Sequence, residues 1–191
     1  MRIRRSAVAV LLSLGLAVAG CGGGSNRGTE PPPATATTGT APAGPPAASP
    51  TATTGPVPAT LAFTATTVDG QPFDAASVAG KPVVLWFWAA WCPRCRAAAP
   101  GVAAVHREFG GAVTVLGVAG LASGAAAMRD FVRDRGIGGL TNLADDNGVI
   151  WRKFEVTAQE YFVLINASGA VVYKGLLGTP ELRERISALK G

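Results

Sequence analysis

Apolar residues fall into blocks along this chain, and the period changes from block to block. Leu61–Val68 alternates apolar and polar, the period-two pattern of a half-buried strand. Asp69-Gly70 follows as a hairpin-type turn leading to Pro72-Phe73. Val83–Trp88 is apolar at every position, as expected of a central strand covered on both faces. The stretch from Pro93 to about Phe109 reads as a helix, and Val113–Val118 as a second buried strand. Ser123 is placed to cap a helix carrying Met128, Phe131 and Val132 that stops near Gly136. Val149, Ile150, Lys153 and Phe154 predict a short helix. Phe162–Ile165 and Val171–Tyr173 flank a turn at Asn166-Ala167-Ser168-Gly169 and predict a second hairpin. Thr179-Pro180 opens a last helix with Leu182, Ile186 and Leu189 on one face. The alternation predicts an α/β fold, a central mixed β-sheet with helices on both faces. No internal repeat is present.

Upstream of Leu61 the pattern is different. MRIRR is basic, and residues 6–20, SAVAVLLSLGLAVAG, are uncharged, apolar or small. That is the layout of a secretory signal, too short and too promptly ended for a membrane-spanning helix. It closes on Val18-Ala19-Gly20-Cys21, which resembles the lipobox of bacterial lipoproteins. The resemblance implies that Cys21 takes a lipid on its sulfur and becomes the new N-terminus, anchoring the protein on the extracytoplasmic face of the cell membrane. Simple secretion, with Cys21 lost or free, is the alternative. Arg4-Arg5 is only a weak hint of twin-arginine export.

Residues 21–60 hold almost no large apolar side chain and are rich in Pro, Thr, Ala and Gly. Such a segment cannot offset the entropy of folding, so a disordered tether is expected. A flexible coil of that length spans about 30–40 Å and a polyproline-like one up to about 120 Å. The expected organisation is a signal at 1–20, a tether at 21–60 and one domain at 61–191. A domain of that size buries roughly two-thirds of its unfolded surface and needs no staple.

Charge narrows the partners. The chain of 191 residues carries a formal +5. Removing residues 1–20 takes away Arg2, Arg4 and Arg5 and no acid, leaving +2. No dense basic patch with interleaved aromatics remains, so nucleic acid is not an expected partner. A monomer is expected.

The chemistry lies in residues 87–100, FWAAWCPRCRAAAP. Of three cysteines, Cys21 is accounted for by the lipobox, leaving Cys92 and Cys95. An exported protein works outside the reducing cytosol, so this pair can exist as a disulfide. Cys92 follows a buried strand and begins a helix, where unpaired N–H groups and the helix dipole favour a thiolate, below the ~8.5 pKa of a free cysteine. Pro93 fits the first helical position, and Arg94 adds positive charge. Cys95, one turn along, is the natural resolving thiol and is expected to be buried. A zinc site needs more ligands. The only histidine, His106, lies 11 residues past Cys95, about 16 Å along a helix. No metal and no cofactor beyond the redox-active disulfide are expected; inert packing of the two cysteines stays open.

WCxxC after an apolar strand, with Pro100 five residues past the second cysteine, resembles the thioredoxin superfamily. GKPVVLWFWAAWC, the turn at 69–73 and LADDNGVIWRKFEV narrow the resemblance to the exported TlpA/DsbE type, in particular its actinobacterial secreted and lipid-anchored members. It covers nearly all of 61–191. The resemblance implies a thioredoxin fold and thiol–disulfide exchange with exported proteins that contain cysteines, recycled by a membrane redox partner. Cys92 would attack and Cys95 resolve, Trp91 would line the substrate face, and Pro100 would kink the active-site helix. Redox direction leans towards oxidant.

Two positions depart from that family. No proline occurs between Pro100 and Pro180, and Glu160 stands where the fold places a cis-proline facing the cysteines. A trans bond and a reshaped loop are expected. Ala98 occupies a position where this type often carries a glutamate, and Trp86 one where thioredoxin has an acid. Glu160 is then either a relocated proton acceptor or a surface glutamate on a loop that no longer binds substrate. That loop also keeps a rival alive: a thioredoxin-fold binding lipoprotein without turnover. His106 reads as a solvated or capped helix residue, and Trp86, Trp88 and Trp151 as core. Asp145-Asp146-Asn147-Gly148 is a turn with a helix cap rather than a calcium loop, lacking the closing Glu. Asn166-Ala167-Ser168 is a glycosylation sequon in form only.

Overall fold

The computed structural model describes residues 56–189. They fall within one compact unit. The expected signal, Cys21 and most of the expected tether lie outside the described residues.

Seven strands form one sheet: β1 (Thr64–Thr67), β2 (Pro72–Asp74), β3 (Val83–Trp88), β4 (Thr114–Ala119), β5 (Thr141–Ala144), β6 (Tyr161–Ile165) and β7 (Val171–Gly175). Their spatial order is β2-β1-β5-β4-β3-β6-β7. The β3, β4 and β5 strands run parallel; β6 lies antiparallel to β3, and β1 to β5. The α-helices among the described residues are α1 (Pro93–Phe109), α2 (Ala125–Asp134), α3 (Val149–Lys153) and α4 (Thr179–Leu189).

β3 explains the layering. All six of its residues are buried, and successive side chains point to opposite faces. Val84, Trp86 and Trp88 face a core completed by α1, α2 and α4 through Val102, Phe131 and Ile186. Val83, Leu85 and Phe87 face a second core closed by α3 and by the short 3-10 turns at Ala59–Leu61 and Ala75–Val78. Helices thus cover both faces, unevenly. Trp88 stacks on Phe131 at 4.4 Å, and Phe87 meets Trp151 edge-on at 5.2 Å, so Trp86, Trp88 and Trp151 are core residues as expected.

The sequence pattern needs three corrections. The alternation at 61–68 yields only four residues of strand, because Leu61 is drawn into the preceding 3-10 turn and buried there. Ser123 does not cap α2: Gly124 precedes that helix with no side-chain cap bond, and the Ser123 hydroxyl is spent elsewhere. His106 is half-buried in the last turn of α1, and its Nδ1 is buried with no hydrogen-bond partner among the described residues, so the ring is only partly solvated. The other turns fall as expected. Asp145 accepts from the N–H groups of Val149, Ile150 and Trp151 at 2.7–2.9 Å, capping α3. Asn166 Oδ1 closes the β6–β7 turn by accepting from Ala170 N–H.

Candidate active site

β3 delivers the chain to the site and α1 fixes it there. After Trp88 the backbone turns, and Cys92 N–H donates to Ala89 O at 3.1 Å. Cys92 is the N-cap of α1, with extended φ/ψ of −78° and 117°, and its Sγ accepts the Cys95 N–H at 3.0 Å. Pro93 takes the first helical position, where a missing N–H costs nothing. Cys92 and Cys95 are joined as a disulfide with Cα atoms 5.3 Å apart. In that bonded state the Cys92 sulfur already occupies the place in which a thiolate would meet the helix N-terminus.

Both cysteines are buried, Cys92 to 1% exposure, whereas Trp91, Pro93 and Arg94 around them are exposed. Pro100 lies inside α1, beyond the disulfide-bearing turn, where it removes one helical N–H.

One wall of the site is the segment linking β4 to α2. Trp91 Nε1–H donates to Leu121 O at 2.9 Å. Ala90 N–H donates to Ser123 Oγ at 2.9 Å, and that hydroxyl donates onward to Gly120 O at 2.6 Å. The Asp146 carboxylate accepts from the N–H groups of Ser123 and Gly124. Leu121 and Ala122 are held at φ of 58° and 53°, a left-handed conformation that costs non-glycine residues energy and persists only under such restraint. Arg96 closes the wall by donating to Ala90 O. Ser123, Asp146 and Arg96 were not legible as site residues. A serine before a helix reads as a cap, and nothing in sequence brings residue 146 to residue 123.

The other wall is Glu160. It precedes β6 at φ 58°, and its N–H donates to Phe87 O at 2.8 Å. No cis peptide bond occurs among the described residues, in line with the expected trans loop. Glu160 is not a surface residue. It is 7% exposed, and its Oε2 accepts from Arg94 Nη2 at 3.0 Å. Burial pushes its carboxyl above the usual carboxylate range, against the pull of Arg94. In this disulfide form the Arg94 charge is paired with Glu160. Arg94, Ala98 and Glu160 line one groove with Val102, Phe162 and Leu177. Among the described residues no group of His, Cys, Asp or Glu is arranged to hold a metal ion.

The model of the AhpC/TSA family matches residues 57–174. The chain belongs to the AhpC/TSA family. It is 43% identical over 133 residues to the soluble secreted antigen MPT53 of Mycobacterium tuberculosis, covering 68% of this chain and 75% of that one. The solved structure of MTB DsbF, in mixed oxidised and reduced forms, superposes with a TM-score of 0.66 at 42% identity, over 70% of this chain and 99% of that one. A secreted M. tuberculosis disulfide oxidoreductase, described as homologous to DsbE of E. coli, gives 0.61 at 42% identity over 68% and 97%. The thioredoxin fold and the TlpA/DsbE-type resemblance expected from WCxxC therefore hold, and the chain is a thiol–disulfide oxidoreductase of exported type. No helix among the described residues is long and apolar enough to cross a membrane.

Proposed function

We propose that Cys92 and Cys95 exchange disulfides with cysteines of exported proteins, Cys92 forming the mixed disulfide and Cys95 resolving it. The observation that carries this reading is the joined pair at the N-terminus of α1, with the Cys95 N–H already directed at Cys92 Sγ. In the oxidising direction a substrate thiolate attacks Cys92 Sγ, the Cys92–Cys95 bond breaks, and Cys95 leaves with the electron pair. The second substrate thiolate then attacks the sulfur bound to Cys92 and releases Cys92 as a thiolate. The helix N-terminus stabilises that thiolate, hence the reduced protein, which favours oxidation of substrates. Trp91 offers an exposed aromatic face beside the sulfurs, Pro93 starts α1 at its first position, and Pro100 interrupts the hydrogen bonding of the same helix. The disulfide is the redox centre, without a further cofactor.

Insulin reduction and reoxidation of reduced RNase, run on the mature chain and on Cys92→Ser, test the reading and its direction. Activity in either assay, lost in the variant, is expected; none in both would favour the rival binding role. The replaced proline loop and its internal Arg94–Glu160 pair are what favour that rival.

Cys21 after Val18-Ala19-Gly20 supports a lipid anchor on the extracytoplasmic face, with residues 21–60 as tether and a membrane redox partner recycling the pair. Cys21→Ser should leave the protein unlipidated and mostly released from washed membranes. Equal retention of both forms would overturn the anchor.

A further inference from the structure

Three polar or charged side chains are buried among the described residues: Asn142, Asp145 and Glu160. Asp145 accepts three backbone N–H groups. The neutral Asn142 amide donates to Ile137 O and Leu140 O, while its Oδ1 is buried without a partner among the described residues. Glu160 differs from Asn142 in carrying a charge. Its carboxylate has one partner, a guanidinium whose side chain is 62% exposed, and no backbone donor. A buried carboxylate so thinly supported is costly while charged and is relieved by taking up a proton.

Arg94 lies between Cys92 and Cys95 in sequence, in the first turn of α1. The sole counter-ion of the buried acid therefore belongs to the turn that carries the disulfide. Among the described residues no charge from the other packed elements answers Glu160. The groove is otherwise lined by alanines, Val102, Phe162, leucines, Gly178 and Thr179, and β3 offers only the Phe87 carbonyl, which accepts the Glu160 N–H. Glu181 on α4 is turned to Gly178 N–H at 2.7 Å. Arg96, next along α1, is spent on Ala90 O. The charges in this groove are Glu160 and Arg94, and Arg94 links them to whatever charge appears on the sulfurs of its own helical turn.

We propose that reduction of the Cys92–Cys95 disulfide is coupled to proton uptake by Glu160, which makes Glu160 the residue that holds the second proton of the two-electron step. The balance is complete. A substrate dithiol supplies two electrons and two protons and leaves as a disulfide. The Cys92–Cys95 bond breaks; Cys95 keeps one proton as a thiol and Cys92 stays a thiolate. In the pH window between the oxidised-state and reduced-state midpoints of Glu160, its carboxylate takes up part of the remaining proton; outside that window the proton goes to solvent. In the reducing direction Glu160 gives it back. The driving force is Coulombic. A new thiolate competes for Arg94 and repels the carboxylate, and one pKa unit of such like-charge interaction is a change of about tenfold in proton affinity. Burial, which already favours the neutral acid, acts in the same direction. By linkage, protonating Glu160 stabilises the Cys92 thiolate by the same factor.

This inference rests on Cys92 and Cys95 as the exchanging pair, and the test separates the two. The carboxyl carbon of Glu160 is followed by 13C NMR against pH in the mature chain, once fully oxidised and once kept reduced. The signal is assigned by its loss in Glu160→Gln or, if that variant does not fold, by its displacement in Glu160→Asp. The expected result is a midpoint about one pH unit higher in the reduced protein, a tenfold gain in proton affinity. The same midpoint in both states overturns the coupling. Because both states are prepared chemically, the shift is readable even without substrate turnover. Turnover without a shift therefore ends the proton role, whereas a shift without turnover ends the exchange reading. Reduction potential against pH gives a second readout. In the window between the two midpoints about half a proton is taken up, which changes the equilibrium by up to about threefold per pH unit, about 15 mV for this couple, and Glu160→Gln should lose that increment. An unchanged pH dependence in the variant counts against the proposal.

Discussion

The two walls of the disulfide are built by opposite means. On the Trp91 side, neutral hydrogen bonds link Ala90, Trp91 and Ser123 to the segment after β4, and the Asp146 carboxylate anchors it through two backbone N–H groups. On the Glu160 side a single ion pair stands in an otherwise apolar groove. The first wall spreads its polar groups over many partners and can be rigid at little cost. The second concentrates one buried charge on one solvated partner. The contrast assigns positioning to the Trp91 wall and charge response to the Glu160 wall.

Three substitutions sharpen that contrast, taken from the largest expected effect to the smallest. Phe131 stacks on Trp88 and floors the groove below Trp91. Phe131→Ala should cost about 3–5 kcal/mol in denaturant unfolding, the range for emptying a buried aromatic site. A cost under about 1 kcal/mol would mean that this wall does not rest on the core.

Asp146→Ala should cost about 1–2 kcal/mol by leaving the Ser123 and Gly124 N–H groups without their acceptor. It should also loosen Leu121 and with it Trp91, seen as faster quenching of Trp91 fluorescence. Unaltered quenching would detach Asp146 from the site.

The smallest effect is one of sign. The folded-state pKa of Glu160 lies above its ordinary value, so the folded protein binds the proton more tightly than the unfolded chain. The stability from this group is present in full at acid pH and is lost as pH rises from the ordinary carboxylate range through the raised value. Glu160→Gln should therefore gain stability over wild type above that window and none below it, in thermal unfolding followed against pH. A variant less stable than wild type at neutral pH would show that Arg94 outweighs burial.

What the sequence carried and what it missed follow the same division. WCxxC, the all-apolar Val83–Trp88 and Pro93 sit on local rules: a helix start and a strand buried on both faces are written in consecutive residues. The long-range contacts were not written that way. Ser123 obeys the local rule for a cap, but the Ala90 N–H, 33 residues away in sequence, takes its hydroxyl. Glu160 drew notice as a missing proline, yet its burial and its pairing with Arg94, 66 residues away, come from the β3–β6 register and the groove beside α1. Arg94 itself is legible as a charge near Cys92, but its ion pair with Glu160 is not, because that partner is set by tertiary structure.

The central claim is that Cys92 makes the covalent bond to substrate and Cys95 releases it. Its most direct test is to mix reduced Cys95→Ser and reduced Cys92→Ser, separately, with a disulfide substrate such as insulin, and to map adducts by mass spectrometry. Cys95 is fully buried and serine is nearly isosteric with it, so the fold should persist. The account predicts a stable mixed disulfide on Cys92 in Cys95→Ser and little adduct on Cys95 in Cys92→Ser. No adduct on Cys92, or an equal one on Cys95, would contradict it.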